Sequence, residues 1–277
     1  MDILFKLAII PAACACLSGL VRQRILLRRT VSTLLWLQTA LACYLLVKPL
    51  SGDAVSLNAD FRIDQISAVL IVLSNFVVAA ACTHASTLYG QDKLVTEARM
   101  FFGFTSIFLI AMNTVFACDN LGYMWVSIEA STLFSAPLVY LDRSKNAVEA
   151  TWKYLIICSV GIAFALLGTV MIFAAAQSPA HSSGTLQISQ LVQSAVQLDP
   201  SLLRLGFIFC LIGYGTKAGV FPLHNWLPDA YSQAPPPACA IFSGALINCA
   251  LFGLYRVSQI MQASQHGLAS LHIMSIA

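Results

Sequence analysis

Long apolar runs separated by short polar stretches dominate the chain and determine its predicted architecture. Eight of them approach or exceed the length of about 20 residues that a helix needs to cross a bilayer core. They cover residues 3–20, 31–47, 63–83, 100–117, 120–141, 151–176, 202–226 and 238–260. The last residues resemble the start of a ninth. The pattern predicts an all-α polytopic bundle of about eight transmembrane helices, with a broken seventh helix.

Three regions follow from this pattern. Residues 1–98 form an N-terminal three-helix region, 99–262 a five-helix region, and 263–277 the start of the next helix. The long loop 177–200 in the second region carries apolar residues at helical spacing with polar ones between them. Two interpretations stay open for this loop: an amphipathic helix at the outer membrane interface, or a polar connector.

The composition agrees with a membrane protein. Hydrophobic residues make up 58% of the chain and charged residues only 10%, whereas a soluble domain carries roughly 25% charged residues. Mean hydropathy is +0.80. The net charge of +3 is small, so no nucleic-acid partner is expected. The first segment lacks a basic n-region and further spans follow it, so we expect no signal peptide.

Basic residues indicate the orientation, because loops on the inner side of a membrane are enriched in lysine and arginine. With the N-terminus outside, four arginines fall in the first inner turn. The complete inner set is then Arg22, Arg24, Arg28, Arg29, Lys93, Arg99, Arg143, Lys145 and Lys153. The outer set is smaller and consists of Lys6, Lys48, Arg62, Arg204 and Arg256. We therefore predict that the N-terminus lies outside.

No cofactor site is expected in this chain. Its nine cysteines are scattered through apolar segments, where they are typical of small buried side chains. The sequence contains no CxxC, GxGxxG or HExxH pattern, so it offers no evident site for a metal, an iron–sulfur cluster, a flavin or a nucleotide.

Two ionisable residues lie deep inside predicted spans. Glu129 is 9 residues past Asn120, or about 14 Å along a helix. Lys217 is 15 residues past Leu202, or about 22 Å. The two helices run in the same direction, so we predict that the carboxylate and the ammonium form a pair. A static salt bridge and a proton relay both fit such a pair, because the carboxylate favours the charged lysine whereas burial favours the neutral one.

The stretch 211–237, LIGYGTKAGVFPLHNWLPDAYSQAPPP, surrounds Lys217 with glycines and is predicted to break at Pro222. A break inside a span frees backbone groups that must line protein or a water-filled cavity. His224, about two turns beyond Lys217 if the helix resumes, either exchanges protons or forms a structural hydrogen bond. Asp229 is predicted to anchor the inner end of the span.

Ser243 and Asn248 lie in the eighth span. They either help to carry a chain of water molecules or form hydrogen bonds between helices. Four charged residues are predicted at span ends, where long side chains can reach the headgroups: Asp119, Lys153, Arg204 and Arg256. Trp152 and Trp226 fit the interfacial belts, and Trp125 is expected to pack internally.

Residues 215–237 resemble the signature of the antiporter-like membrane subunits of respiratory complex I, group 4 [NiFe]-hydrogenases and Mrp-type cation/proton antiporters. Residues 121–141 resemble the fifth helix of this family, 149–169 its sixth and 61–77 its third. The eighth helix, SGALINCALFGLYR, is most similar to the hydrogenase-4 type. The resemblance covers most of the chain from about residue 60 onward.

The resemblance implies a proton-translocating subunit of a redox-driven complex. Glu129 and Lys217 match a coupled pair of the family, His224 a member of its central hydrophilic axis, and Lys153 a further candidate. The implied partners are other membrane subunits and a peripheral redox arm that carries the metal clusters. The implied location is the cytoplasmic (inner) membrane of a bacterium or archaeon. An Mrp-type antiporter subunit and a truncated structural subunit that does not conduct are the alternatives.

The chain departs from the family pattern in two ways. Tyr231 stands where many relatives have histidine, and Asn248 and Ser243 stand where some have lysine or histidine, which leaves the lateral continuation of proton transfer open. The chain also matches only the first three helices and one of two five-helix repeats, which is one half-channel. A shortened chain, a truncated reading frame and one half of a split subunit all fit this length.

Overall fold

The computed structural model describes residues 2–20, 24–88, 95–177 and 184–264. Most of these residues are helical, which confirms a helical bundle. The helices are α1 (Asp2–Leu20), α2 (Arg24–Leu45), α3 (Val47–Leu50), α4 (Gln65–Leu88), α5 (Val95–Ala117), α6 (Leu121–Val139), α7 (Lys145–Ala176), α8 (Ile188–Gln193), α9 (Pro200–Ala218), α10 (Trp226–Gln233), α11 (Pro236–Ile241) and α12 (Ile247–Ala263). The predicted ninth helix, along with Arg22 and Lys93, lies outside the described residues.

Six of the described helical segments are long and apolar enough to cross a membrane, so the chain is an integral membrane protein. They are α1, α4, α5, α7, α9 and the continuous run from α11 to α12. The other two long helices, α2 and α6, are not among these six: α2 includes three arginines, and α6 includes Glu129 and several hydroxyl side chains. The eight-span count therefore stays a prediction.

A small β-hairpin interrupts the all-α pattern. Strands β1 (Val55–Asn58) and β2 (Phe61–Ile63) pair antiparallel, with Val55 opposite Ile63. Phe61 also bridges to Cys118, just before α6. The sequence prediction treated this stretch as a polar connector, because four alternating residues between aspartates give too short a pattern to distinguish a strand from a loop.

The segment after α7 packs against the hairpin side of the bundle. Asp119 accepts hydrogen bonds from the hydroxyl of Ser189 at 2.6 Å and from its backbone nitrogen at 3.2 Å. Helix α8 has only six residues, and its Ile188 and Leu191 are buried. Of the two interpretations left open for 177–200, a short helix is the one that the described part of this loop forms. Its apolar residues cover protein rather than lie in the lipid interface.

Helices α7 and α9 approach each other closely at two glycines. A Cβ atom built on Gly168 would lie 2.6 Å from the carbonyl oxygen of Gly206 and 2.6 Å from Cys210 Sγ. Small residues allow membrane helices to pack backbone against backbone, where dispersion contacts replace the hydrophobic effect. This contact fixes α9 against α7 and thereby determines which α7 side chains face Lys217.

The seventh span breaks earlier than predicted. Helix α9 ends at Ala218, and Gly219 closes it in the left-handed conformation, with φ 71°. Glycine adopts this conformation without a steric cost. Pro222 lies three residues further on and is exposed, so Gly219 and not Pro222 ends the helix. The chain then turns through non-helical residues before α10 begins at Trp226.

The eighth span is also irregular. Between α11 and α12, residues Phe242–Leu246 form a turn of π-helix. Near the middle of α12, Arg256 forms an ion pair with Asp64 at 2.7 Å, and its side chain is only 8% exposed. The prediction that Arg256 reaches toward the lipid headgroups was therefore wrong, because a carboxylate at the start of α4 binds it inside the protein.

Candidate functional site

The candidate site is centred on the ammonium group of Lys217, which is fully buried in the last turn of α9. The Nζ atom donates to the hydroxyl oxygen of Thr132 at 2.6 Å and to that of Tyr154 at 2.9 Å. It also lies 5.1 Å from the centroid of the Tyr154 ring. Three helices, α6, α7 and α9, therefore meet at this lysine. Its hydrogen-bond partners are neutral hydroxyl groups.

Glu129 lies one turn before Thr132 on α6. The Thr132 hydroxyl is 3.4 Å from Glu129 Oε2, and the Ser159 hydroxyl donates to Oε1 at 2.8 Å. The structure thus places both Lys217 and Glu129 within hydrogen-bond reach of the Thr132 hydroxyl. It does not form the direct ion pair that the sequence predicted: among the described residues, the ion pairs involve other side chains.

Tyr154 supports the lysine from the α7 side. Its hydroxyl is 2.6 Å from the Ser135 hydroxyl, which donates to the backbone carbonyl of Thr132 at 3.0 Å. When Lys217 donates to Tyr154, the phenolic proton is directed to Ser135. The order of donors is then Lys217, Tyr154, Ser135 and the Thr132 carbonyl. This branch ends on the backbone of α6.

Trp226 closes the site beneath the helix break. It is completely buried, and its indole nitrogen donates to the carbonyl oxygen of Thr216 at 2.8 Å. Its ring centroid lies 5.0 Å from that of Tyr154. Trp226 was predicted to lie in an interfacial belt, but the structure buries it inside the protein, because the turn at Gly219 directs α10 back against α7.

His224 lies in the non-helical segment between α9 and α10, and not on a resumed helix. The side chain is partly exposed, and its ring lies 5.7 Å from that of Phe221. Its Nδ1 atom is buried and has no hydrogen-bond partner among the residues that the structure describes. The two hydrogen bonds of Lys217 go to other side chains. The structure therefore places His224 beyond the break, outside the immediate contacts of the lysine.

Lys153 and Asp229 form a separate, more exposed cluster. Lys153 Nζ lies 3.0 Å from Asp229 Oδ2 and 2.8 Å from Glu149 Oε1. The Lys153 side chain is 47% exposed, although the next residue in the chain, Tyr154, is buried. The Lys153–Asp229 pair joins α7 to α10, and the role of Asp229 at the inner end of the span stays a prediction. Lys153 is not part of the buried hydroxyl network.

Ser243 and Asn248 bond to their own helix. The Ser243 hydroxyl donates to the Cys239 carbonyl at 3.0 Å, and Asn248 Nδ2 donates to the Gly244 carbonyl at 2.8 Å. These bonds lie in and beside the π-helical turn, which changes the usual backbone pairing. The bonds that Ser243 and Asn248 donate therefore do not join two helices, unlike the interhelical bonds that were one of the two predictions.

The sequence interpretation missed Thr132, Tyr154, Ser135 and Ser159. The sequence does indicate one of them: Thr132 follows Glu129 by three residues and so lies on the same face of a helix. Hydroxyl side chains are, however, common in membrane helices, where most of them bond to the preceding turn. Spacing alone does not reveal which of them contact a charged group on another helix.

Residues 118–277 match the family model described as "NADH:quinone oxidoreductase/Mrp antiporter, TM". The matched region contains Glu129, Thr132, Tyr154 and Lys217.

Several curated proteins are similar to the chain. It is 38% identical over 220 residues to a hydrogenase-4 component F homolog of Methylacidiphilum infernorum, covering 75% of this chain and 45% of the relative. It is 30% identical over 216 residues to hydrogenase-4 component B of Escherichia coli, covering 76% and 30%. It is 30% identical over 208 residues to NADH-quinone oxidoreductase subunit N of Desulforudis audaxviator, covering 75% and 40%. The chain therefore spans less than half the length of these relatives.

Two solved structures share the fold. A chain of an archaeal membrane-bound sulfane sulfur reductase superposes with a TM-score of 0.77 at 21% identity, covering 99% of this chain and 56% of that one. A chain of respiratory complex I from Thermus thermophilus gives a TM-score of 0.71 at 19% identity, covering 96% and 62%.

Proposed function

Because the chain belongs to the NADH:quinone oxidoreductase/Mrp antiporter transmembrane family, we propose that it is a proton-translocating membrane subunit of a redox-driven complex. The complex is of the hydrogenase or the NADH/quinone oxidoreductase type. Relatives named hydrogenase-4 components and NADH-quinone oxidoreductase subunit N support this class. The family description supports a role inside the membrane.

The observation that carries the proposal is the buried lysine at the helix break. An ammonium group inside a membrane protein is costly, and such residues mark ion pathways more often than they stabilise the fold. Lys217 is fully buried, and a single hydroxyl separates it from Glu129. We propose that Lys217 gains and loses a proton during turnover and that Glu129 is its coupled partner.

The path beyond this pair forms part of the same proposal. His224 lies beyond the break with an unpartnered Nδ1 atom, which suits a group that bonds to water in a hydrophilic axis. Lys153 and Asp229 would mark the inner end of the path, where their exposed ion pair meets solvent or a neighbouring subunit. This assignment uses the orientation with the N-terminus outside in a bacterial or archaeal cytoplasmic membrane.

The proposal places the electron-transfer groups in other subunits. This chain would supply the proton path within the bilayer, and a peripheral redox arm with metal clusters would supply the driving reaction. The neighbouring membrane subunits would receive the proton from its hydrophilic axis. Copurification of the native complex, followed by identification of its subunits, tests this assignment directly.

Lys217→Ala in the assembled complex tests the function. We expect proton translocation per electron in sealed vesicles to fall at least about tenfold, while the redox reaction of the partner subunits continues in part. Lys145→Ala is the matched control, because Lys145 is an exposed lysine at the start of α7. Unchanged translocation per electron in Lys217→Ala would refute the proposal.

The family description also names Mrp antiporters, which favours cation/proton exchange as a second candidate. A sodium gradient imposed on the same vesicles without a redox substrate separates the two functions. Proton movement that requires Lys217 under these conditions supports antiport. The third alternative is a truncated structural subunit, and it predicts that Lys217→Ala changes neither process.

A further inference from the structure

We propose that the hydroxyl group of Thr132 carries the proton between Lys217 and Glu129. This inference rests on the proposed function and goes beyond it by naming the group through which the proton passes. The oxygen of Thr132 is the one described atom that lies within hydrogen-bond reach of both charged side chains, at 2.6 Å from Lys217 Nζ and 3.4 Å from Glu129 Oε2.

The two hydroxyls that accept from Lys217 differ in what lies behind them. Tyr154 leads to Ser135, and Ser135 leads to a backbone carbonyl, which cannot accept a proton and pass another one on. Thr132 leads to a carboxylate, which can hold the proton. Although both groups bond to the same ammonium, only the Thr132 branch connects it to a carboxylate.

The Thr132 proton has two acceptors at equal distance. The hydroxyl oxygen is 3.4 Å from the Ile128 carbonyl and 3.4 Å from Glu129 Oε2. Both distances are longer than the 2.7–2.8 Å or so that is usual for hydroxyl donors. A small rotation of the threonine side chain shortens one of them at the expense of the other. Turned toward Ile128 the hydroxyl interrupts the path, and turned toward Glu129 it completes it.

The transfer step conserves every atom. An N–H bond of the Lys217 ammonium breaks as an O–H bond forms on Thr132, and the original Thr132 O–H bond breaks as an O–H bond forms on Glu129 Oε2. Lysine becomes neutral, the carboxylate becomes a carboxylic acid, and threonine is unchanged. Ser159, bonded to Oε1 at 2.8 Å, holds the carboxylate in place for the step.

A pair of variants tests this assignment in the assembled complex. Thr132→Val and Tyr154→Phe each remove one hydroxyl that bonds to Lys217, and each keeps nearly the same side-chain volume. We expect Thr132→Val to lower proton translocation per electron at least about tenfold, more than Tyr154→Phe does. Thr132→Ser restores the hydroxyl and is expected to recover translocation. If Thr132 has only a structural role, the loss of translocation in Thr132→Val should follow a loss of thermal stability, and Thr132→Ser should not recover translocation.

The outcomes separate this inference from the proposed function. If Lys217→Ala abolishes translocation while Thr132→Val pumps like the wild type, the hydroxyl relay is wrong and the proposed function stands. If Lys217→Ala also pumps normally, the proposed function fails. If Thr132→Val prevents assembly of the complex, infrared difference spectra of the wild-type complex test the relay instead. A turnover-dependent carboxylic acid band that Glu129→Gln removes supports the relay, and its absence contradicts it.

Discussion

The indole nitrogen of Trp226 donates a hydrogen bond to the carbonyl oxygen of Thr216 across the break in the seventh span, at 2.8 Å. Helix α9 ends two residues after Thr216, so this carbonyl accepts from the Gly219 N–H at 3.1 Å instead of from its regular partner, the N–H of Val220. The indole gives it a second donor in a place where a membrane supplies no water. The same indole packs on Tyr154, which contacts Lys217. The groups that stabilise the break therefore also position the lysine.

Trp226→Phe should lower the free energy of unfolding by about 1 kcal/mol, because the Thr216 carbonyl loses the indole donor and keeps only the Gly219 N–H. The aromatic contact with Tyr154 is partly kept in this variant. The measurement is the melting temperature of the purified complex in detergent. Trp152→Phe is the control, since Trp152 is 60% exposed and should change the free energy by no more than about 0.5 kcal/mol. Equal melting temperatures for the two variants would contradict the role assigned to Trp226.

Gly219→Ala should destabilise the chain more than Gly215→Ala does. Gly219 has φ 71°, a conformation that costs an L-residue about 1–2 kcal/mol, and a Cβ atom there would overlap Leu227 Cδ1. Gly215 lies inside α9, and a Cβ atom there would meet Val220 at an ordinary 3.9 Å. Thermal melting ranks the variants. If Gly215→Ala is the less stable of the two, Gly219 does not determine where the helix ends.

The sequence predicted the position of the site better than its contacts. The depth of Lys217 and Glu129 followed from counting residues along two helices, and the structure brings both side chains to Thr132. The contacts depend on how the helices rotate about their axes, and periodicity alone does not determine this rotation. The prediction thus paired the two charges directly, although a neighbouring threonine separates them.

The break itself shows a second limit of sequence patterns. Pro222 is the strongest local helix breaker in the stretch, but Gly219 ends the helix first because it adopts a left-handed cap. Trp226 was then placed by the rule that tryptophan marks a membrane interface. That rule assumes a span that continues to the headgroups. It failed here because the chain turns back into the bundle after Gly219.

Gly168→Ala should weaken the contact between α7 and α9. The added methyl group would lie 2.6 Å from the Gly206 carbonyl oxygen, so one backbone has to move. Overpacking of this kind costs about 1–3 kcal/mol. Gly19→Ala is the matched control, because a Cβ atom on Gly19 meets no atom of the described residues within 4 Å outside its own helix. Melting curves compare the two variants. Proton translocation should fall only in Gly168→Ala, as Tyr154 shifts away from Lys217.

The Asp64–Arg256 pair predicts an acid-dependent loss of stability on the hairpin side of the bundle. Burial tends to raise the pKa of Asp64, but the Arg256 charge and the hydrogen bonds from Ser67 and Arg256 outweigh it, so the pKa lies below its ordinary value. A carboxyl group whose pKa is lowered by folding contributes stability above its unfolded pKa of about 4. This contribution disappears as the pH falls through the folded value.

Asp64→Asn should therefore lower the free energy of unfolding at neutral pH by about 3 kcal/mol, because Arg256 keeps its buried charge without a carboxylate. It should also reduce the loss of stability that the wild type shows below about pH 4. Glu149→Gln is the control: its carboxylate is 67% exposed and pairs with Lys153 at the surface, where ion pairs contribute about 0–1 kcal/mol. Melting temperatures measured from pH 7 down to about pH 3 test both statements. A wild-type acid profile that persists unchanged in Asp64→Asn would show that another carboxyl group is responsible.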